Sequence, residues 1–159
     1  MPLSPNPEHM RRAIALATEN ILAGKGGPFA AVIVRDGEII AEGANSVTTT
    51  NDPTAHGEVN AIRNACRTLG TFSLAGCEIY TSCEPCPMCL AAIYWARLEA
   101  CYFGSNQQDA ASAGFDDAFL YEEFRKSRDA RMIPSAQLLQ NEANQTFAAW
   151  QTLPAKVDY

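Results

Sequence analysis

The fold turns on Glu78-Ile79-Tyr80-Thr81-Ser82-Cys83-Glu84-Pro85-Cys86-Pro87-Met88-Cys89. Glu78 to Ser82 reads as a strand and Cys86 to Arg97 as a helix. Pro85 and Pro87 fit its first turn, where backbone N–H groups have no helical partner. Ala100 to Gly104 is a further strand. Upstream, Asn6 and Pro7 start a helix whose apolar face is Met10, Ala13, Ile14, Ala17, Ile21 and Leu22, and Gly24, Gly26 and Gly27 end it. Phe29 to Val34 and Glu38 to Gly43 flank Asp36-Gly37, a strong hairpin signal. Asn45 to Asp52 reads as loop, and a second helix runs from Thr54 or Ala55 to about Leu69. Downstream, the pattern predicts a loop over Ser105 to Gly114 and a helix over Phe115 to Lys126. A last strand follows around Ile133 to Leu139, and a final helix over Asn144 to Leu153. Strand–helix alternation at these lengths predicts an α/β sandwich around a mixed sheet.

The chain has 159 residues, which predicts one domain over 1–159. The apolar fraction of 47% excludes a disordered chain. No run of 18 apolar residues is present, so no membrane partner is expected. Twelve Lys and Arg against 18 Asp and Glu leave a net charge of −6, which argues against a nucleic-acid partner. Met1 to Met10 carries no signal-peptide core, so the expected location is cytoplasmic and reducing. In that compartment the six cysteines read as metal ligands or redox groups before disulfides.

His56-Gly57-Glu58 precedes Pro85-Cys86-Pro87-Met88-Cys89 by 27 residues. Cys86 and Cys89 are three apart at a helix start, on one side, where the positive end of the helix dipole favours thiolate. His56 also sits at a helix start. Two thiolates and one imidazole make a zinc site with one position left for water, whose pKa zinc brings to about 7. A carboxylate beside the metal can carry protons, and Glu58 does not share a helix face with His56. The pattern His-x-Glu followed by Pro-Cys-x-x-Cys is the signature of zinc deaminases. A closed structural site with Cys83 as fourth ligand is the rival reading. Cys66, Cys77 and Cys101 read as buried packing residues.

These motifs resemble the cytidine/deoxycytidylate deaminase superfamily over nearly the whole chain, most of all its bacterial guanine deaminase branch. The strings are Gly26-Gly27-Pro28-Phe29, Asn51-Asp52-Pro53-Thr54-Ala55-His56, Thr81 to Cys89, and Ala113-Gly114-Phe115-Asp116-Asp117. The resemblance implies a three-layer α/β/α sandwich with a five-stranded mixed sheet. It implies one zinc per chain on His56, Cys86 and Cys89, with Glu58 as proton shuttle. It further implies that Asn45 reads the purine ring, that Phe29 packs on it and that Asp117 is a second carboxylate at the base. Tyr159 would close the pocket, with the segment from about 142 to 159 swapped in a homodimer. The implied reaction is hydrolysis of guanine to xanthine and ammonia by zinc-bound hydroxide. A guanosine deaminase and a tRNA adenosine deaminase are the alternatives. The latter needs a basic surface, and here Arg125, Lys126, Arg128 and Arg131 follow the acidic Asp116, Asp117, Glu122 and Glu123. One departure from the family is Gly57, where alanine is more frequent. It implies extra room beside the substrate.

Overall fold

The computed structural model describes residues 4–115 and 117–159, so Asp116 of the Gly-Phe-Asp-Asp string lies outside the described residues. The chain divides into two compact units, Met1–Leu120 and Tyr121–Tyr159.

The first unit is built on four strands: β1 (Ala30–Arg35), β2 (Glu38–Ala44), β3 (Cys77–Cys83) and β4 (Ala100–Ser105). Their order is β2-β1-β3-β4. β1 pairs antiparallel with β2 and β3, and β4 runs parallel to β3, so the sheet is mixed. The Asp36-Gly37 turn closes the hairpin with both residues at positive φ, as a two-residue turn of this hand requires. Every residue of β1 except Arg35 is buried, because both sheet faces are covered. Ala31, Ile33, Cys77 and Ile79 pack on one face with Ala61, Ala65, Ile93 and Ala96. Val32, Val34 and Tyr80 pack on the other with Ala13. The period-two alternation of β1 therefore divides its side chains between two helical layers.

Helix α1 (Pro7–Leu22) supplies one layer, and α3 (Gly57–Leu69) and α4 (Pro87–Trp95) the other. The three-layer sandwich expected from the sequence is present. α1 starts where Asn6 accepts the Glu8 N–H at 2.9 Å. α3 ends at Gly70, which adopts the left-handed conformation. α3 starts later than the pattern suggests, because the Asp52 carboxylate accepts from the N–H and hydroxyl of Thr54 and holds that segment as a turn.

Two expected loops contain short helices. In 45–52, α2 (Val47–Thr50) forms because Thr49 and Thr50 hydroxyls bond back to the Ser46 carbonyl. In 105–114, α5 (Gln107–Ser112) forms on a capping box between Asn106 and Asp109.

The sheet has four strands among the described residues, not five. The segment expected to be the last strand, 133–139, is irregular and exposed. Pro134 lacks a ladder N–H, and Leu139 sits at φ 53°, outside extended geometry. Helix α6 (Asp117–Arg125) falls where a helix was expected. Within the second unit, Glu123 accepts the Met132 N–H at 2.7 Å, a one-turn 3₁₀ segment spans Arg128–Ala130, and α7 covers Gln140–Thr152. No helix among the described residues is long and apolar enough to cross a membrane.

Glycines set how closely α3 approaches the sheet. A Cβ on Gly57 would lie 2.8 Å from Ala30 Cα and 3.0 Å from the Phe29 carbonyl oxygen. The room expected beside the substrate at Gly57 is therefore filled by β1 backbone. A Cβ on Gly43 would lie 2.1 Å from the Ala61 nitrogen and 2.5 Å from the Gly57 carbonyl oxygen. Gly43→Ala forces α3 off β2 and should destabilise the protein by about 1–3 kcal/mol. An unchanged denaturant midpoint for this variant would show that the helix and strand separate without cost.

Candidate active site

His56 is the N-cap of α3 and Cys86 the N-cap of α4, and neither side chain caps its own helix. Both point instead at a common spot. His56 Nδ1 lies 3.7 Å from Cys86 Sγ and 3.5 Å from Cys89 Sγ. One ligand atom from each of the three residues can be chosen so that all lie within 4.8 Å of one another. The β3–α4 turn brings the two thiols together: Cys89 is the third residue of α4, a single turn from the cap.

Cys83 lies outside this trio. It ends β3, and its thiol faces the Asn106 carbonyl at 3.8 Å. Burial pushes that thiol up to about 11. Among the protein's own groups, the hydrogen bond from Cys89 holds Cys86 well below the ordinary thiol range. That same bond, with burial, pushes Cys89 up, so the pair shares one proton. The hydrogen bond to Cys86 raises His56 against the opposing effect of its burial. Two thiols and an imidazole in this cluster, with one thiol poised as thiolate, are a donor set suited to zinc.

Glu58 is buried at 6% exposure. Its Oε2 lies 3.4 Å from Cys89 Sγ and its Oε1 accepts from the Thr81 hydroxyl at 3.4 Å. Burial raises the pKa of this carboxyl above its usual range. The carboxylate thus sits beside the trio and is held there from α3 and β3 together.

A cavity of about 390 Å³ opens onto this corner. Asn45, Phe29, Asp117, His56, Glu58 and Cys86 all line it. Asn45 is fixed by its own carbonyl end, since Oδ1 accepts from the N–H groups of Gly27 and Val47, each at 3.2 Å. Buried Asn20 donates to the backbone oxygens of Gly27 and Asn45, each at 2.9 Å, and so clamps the glycine loop to the end of β2. Phe29 meets Phe115 edge to face, with ring centroids 4.7 Å apart and planes at 84°. Asp117 is the first residue of α6. Tyr159 belongs to the second unit.

Phe115 and Glu84 also line the cavity, and sequence reasoning did not single them out. The signal available for Phe115 was its place in the Gly114-Phe115 string. For Glu84 it was its position two residues before Cys86.

Comparison with known proteins agrees with this geometry. The family model for the cytidine and deoxycytidylate deaminase zinc-binding region matches residues 4–105. Guanine deaminase of Bacillus subtilis is 55% identical over 150 residues, 94% of this chain and 96% of that one. The X-ray structure of guanine deaminase from Bacillus subtilis superposes with a TM-score of 0.94 at 53% identity, over 98% of this chain and 99% of that one. A guanine deaminase structure from Nitrosomonas europaea gives 0.68 at 33% identity, over 74% and 68% of the two chains. A tRNA-specific adenosine deaminase of Aquifex aeolicus is 49% identical over 78 residues, which is 49% of this chain and 52% of that relative. By its matched motif region and by the convergence of His56, Cys86 and Cys89, this chain belongs to the cytidine and deoxycytidylate deaminase zinc-binding family.

Proposed function

We propose that the protein is a zinc-dependent aminohydrolase that converts guanine and water to xanthine and ammonia. The observation that carries the reading is the buried Glu58 carboxylate beside the His56–Cys86–Cys89 trio, lining a cavity of about 390 Å³. The likeness to the Bacillus subtilis guanine deaminase extends over nearly the full length of both chains, whereas the likeness to the Aquifex tRNA deaminase covers about half of each.

His56, Cys86 and Cys89 would hold one zinc ion. When bound, zinc supplies a Lewis acid and makes water nucleophilic at neutral pH. Glu58 takes the proton of the attacking water and returns protons to the ring nitrogen and the departing amine. Its raised pKa suits a group that must both accept and give. Asn45, its oxygen already engaged by two backbone N–H groups, directs its NH₂ to a ring acceptor. Phe29 provides the apolar wall against which the ring packs. Asp117 accepts from ring N–H and amino donors and serves as a second proton carrier.

The described residues lining the cavity include no Lys or Arg. A phosphate-bearing substrate would bring negative charge against Glu58, Glu84 and Asp117 with no Lys or Arg among the described lining residues to receive it. That wall, with the net charge of −6, favours a free base over tRNA. Phe147, Trp150 and Leu153 leave an exposed apolar face on and just after α7, which supports a homodimer joined through the segment from about 142 to 159. In that dimer Tyr159 closes the cavity. Six cysteines without a disulfide suit a reducing cytoplasm.

The purified protein should release ammonia from guanine. Glu58→Ala should retain one zinc per chain by metal analysis and lose about 10²- to 10⁴-fold in kcat. Full turnover in that variant would remove Glu58 from the chemistry. A chain shortened by Val157 to Tyr159 should fold, by circular dichroism, and lose turnover; unchanged kcat/KM would exclude Tyr159 from the site.

A further inference from the structure

Glu84 sits at the junction between the end of β3 and the Pro85-Cys86 start of α4. Three hydrogen bonds tie it to a segment more than twenty residues away. Its N–H donates to the Ser105 carbonyl at 2.8 Å. Its Oε1 accepts from Gln107 Nε2 at 2.9 Å, and its Oε2 accepts from the Gln107 backbone N–H at 3.2 Å. Gln107 is the first residue of α5, where N–H groups lack helical partners and a carboxylate is favoured.

From Gln107 the linkage continues along α5 to Phe115, which lines the cavity. The Phe115 N–H bonds back to the Ala110 carbonyl at 3.0 Å, and the Gly114 N–H to Ala111 at 3.0 Å. Phe115 is therefore tied to the end of α5, and it packs edge to face on Phe29, which also lines the cavity. The capping box of Asn106 and Asp109 already secures α5 by itself. A half-buried carboxylate at this junction, in a cavity that also holds Glu58 and Asp117, is not needed to form the helix.

We propose that Glu84 and Gln107 are a positioning pair that keeps Phe115 in register with the His56–Cys86–Cys89 corner. Glu84 acts through Gln107 and α5 rather than on the substrate. The proposal rests on the deaminase reading of the site and adds to it the link between that corner and Phe115.

Exchange of the pair tests this. Gln107→Glu sets two carboxylates against each other, and Glu84→Gln sets two amides. The double variant Glu84→Gln/Gln107→Glu restores the side-chain bond with its polarity reversed. It also leaves the amide oxygen introduced at position 84 free to accept the backbone N–H. Gln107→Glu should keep one zinc per chain and lose about 10- to 100-fold in kcat/KM for guanine. Amide hydrogen exchange across 110–115 should quicken in it. In the double variant both kcat/KM and exchange should return toward the wild-type values. If the double variant stays as impaired as Gln107→Glu, the negative charge of Glu84 itself is what matters, and the positioning role is overturned. Unaltered exchange in Gln107→Glu would overturn it equally. A wild-type protein that releases no ammonia from guanine would refute the deaminase reading instead, while the exchange measurement would still decide whether the pair holds Phe115.

Discussion

The contact on which the site depends is between backbones: the first turns of α3 lie directly against β1 and β2. Gly57 meets Phe29 and Ala30, and Gly43 meets Ala61 and the Gly57 carbonyl, at separations that leave no space for a Cβ. This contact fixes where α3 begins, and with it the positions of His56 and Glu58. β1 also pairs with β3, whose end launches Cys86 and Cys89. The three donor residues thus stand on two helix starts referenced to one central strand. Removing side chains at two glycines costs backbone entropy on folding, and close packing of helix on sheet offsets it.

The same helix starts show function taking precedence over local stability. Ser, Thr, Asp or Asn at an N-cap would satisfy an orphan N–H, and losing such a cap typically costs about 1 kcal/mol. Here His56 and Cys86 occupy those positions and cap nothing. Their side chains remain available for the donor cluster, and both thiols stand in the first turn of α4, at its positive end. Glu58 carries a related cost, since burial disfavours its charged form.

Much of this was legible in the sequence because it is local. The Asp36-Gly37 hairpin, the Asn6-Pro7 helix start and the Pro85-Cys86-Pro87-Met88-Cys89 helix start each follow from neighbours along the chain. Cys83 had the right spacing but ends a strand, and its thiol turns toward Asn106. What the sequence did not disclose depends on distant partners. The space at Gly57 is closed by β1, which only the packed structure brings there. α5 was hidden in polar sequence, although Asn106-x-x-Asp109 carries a recognisable capping box. The expected strand over 133–139 had apolar residues at both ends, but Pro134 and the left-handed Leu139 keep it out of a ladder. Phe115 and Glu84 gain meaning only from Phe29 and Gln107, which lie more than twenty residues away from them.

The central claim is that two helix starts present one imidazole and two thiolates to a zinc ion and leave Cys83 outside. Zinc K-edge X-ray absorption on the zinc-loaded protein tests it most directly. Two sulfur scatterers together with nitrogen or oxygen scatterers are predicted, with the same spectrum in Cys83→Ser. Three sulfur scatterers, falling to two in Cys83→Ser, would contradict it and describe a closed structural site instead.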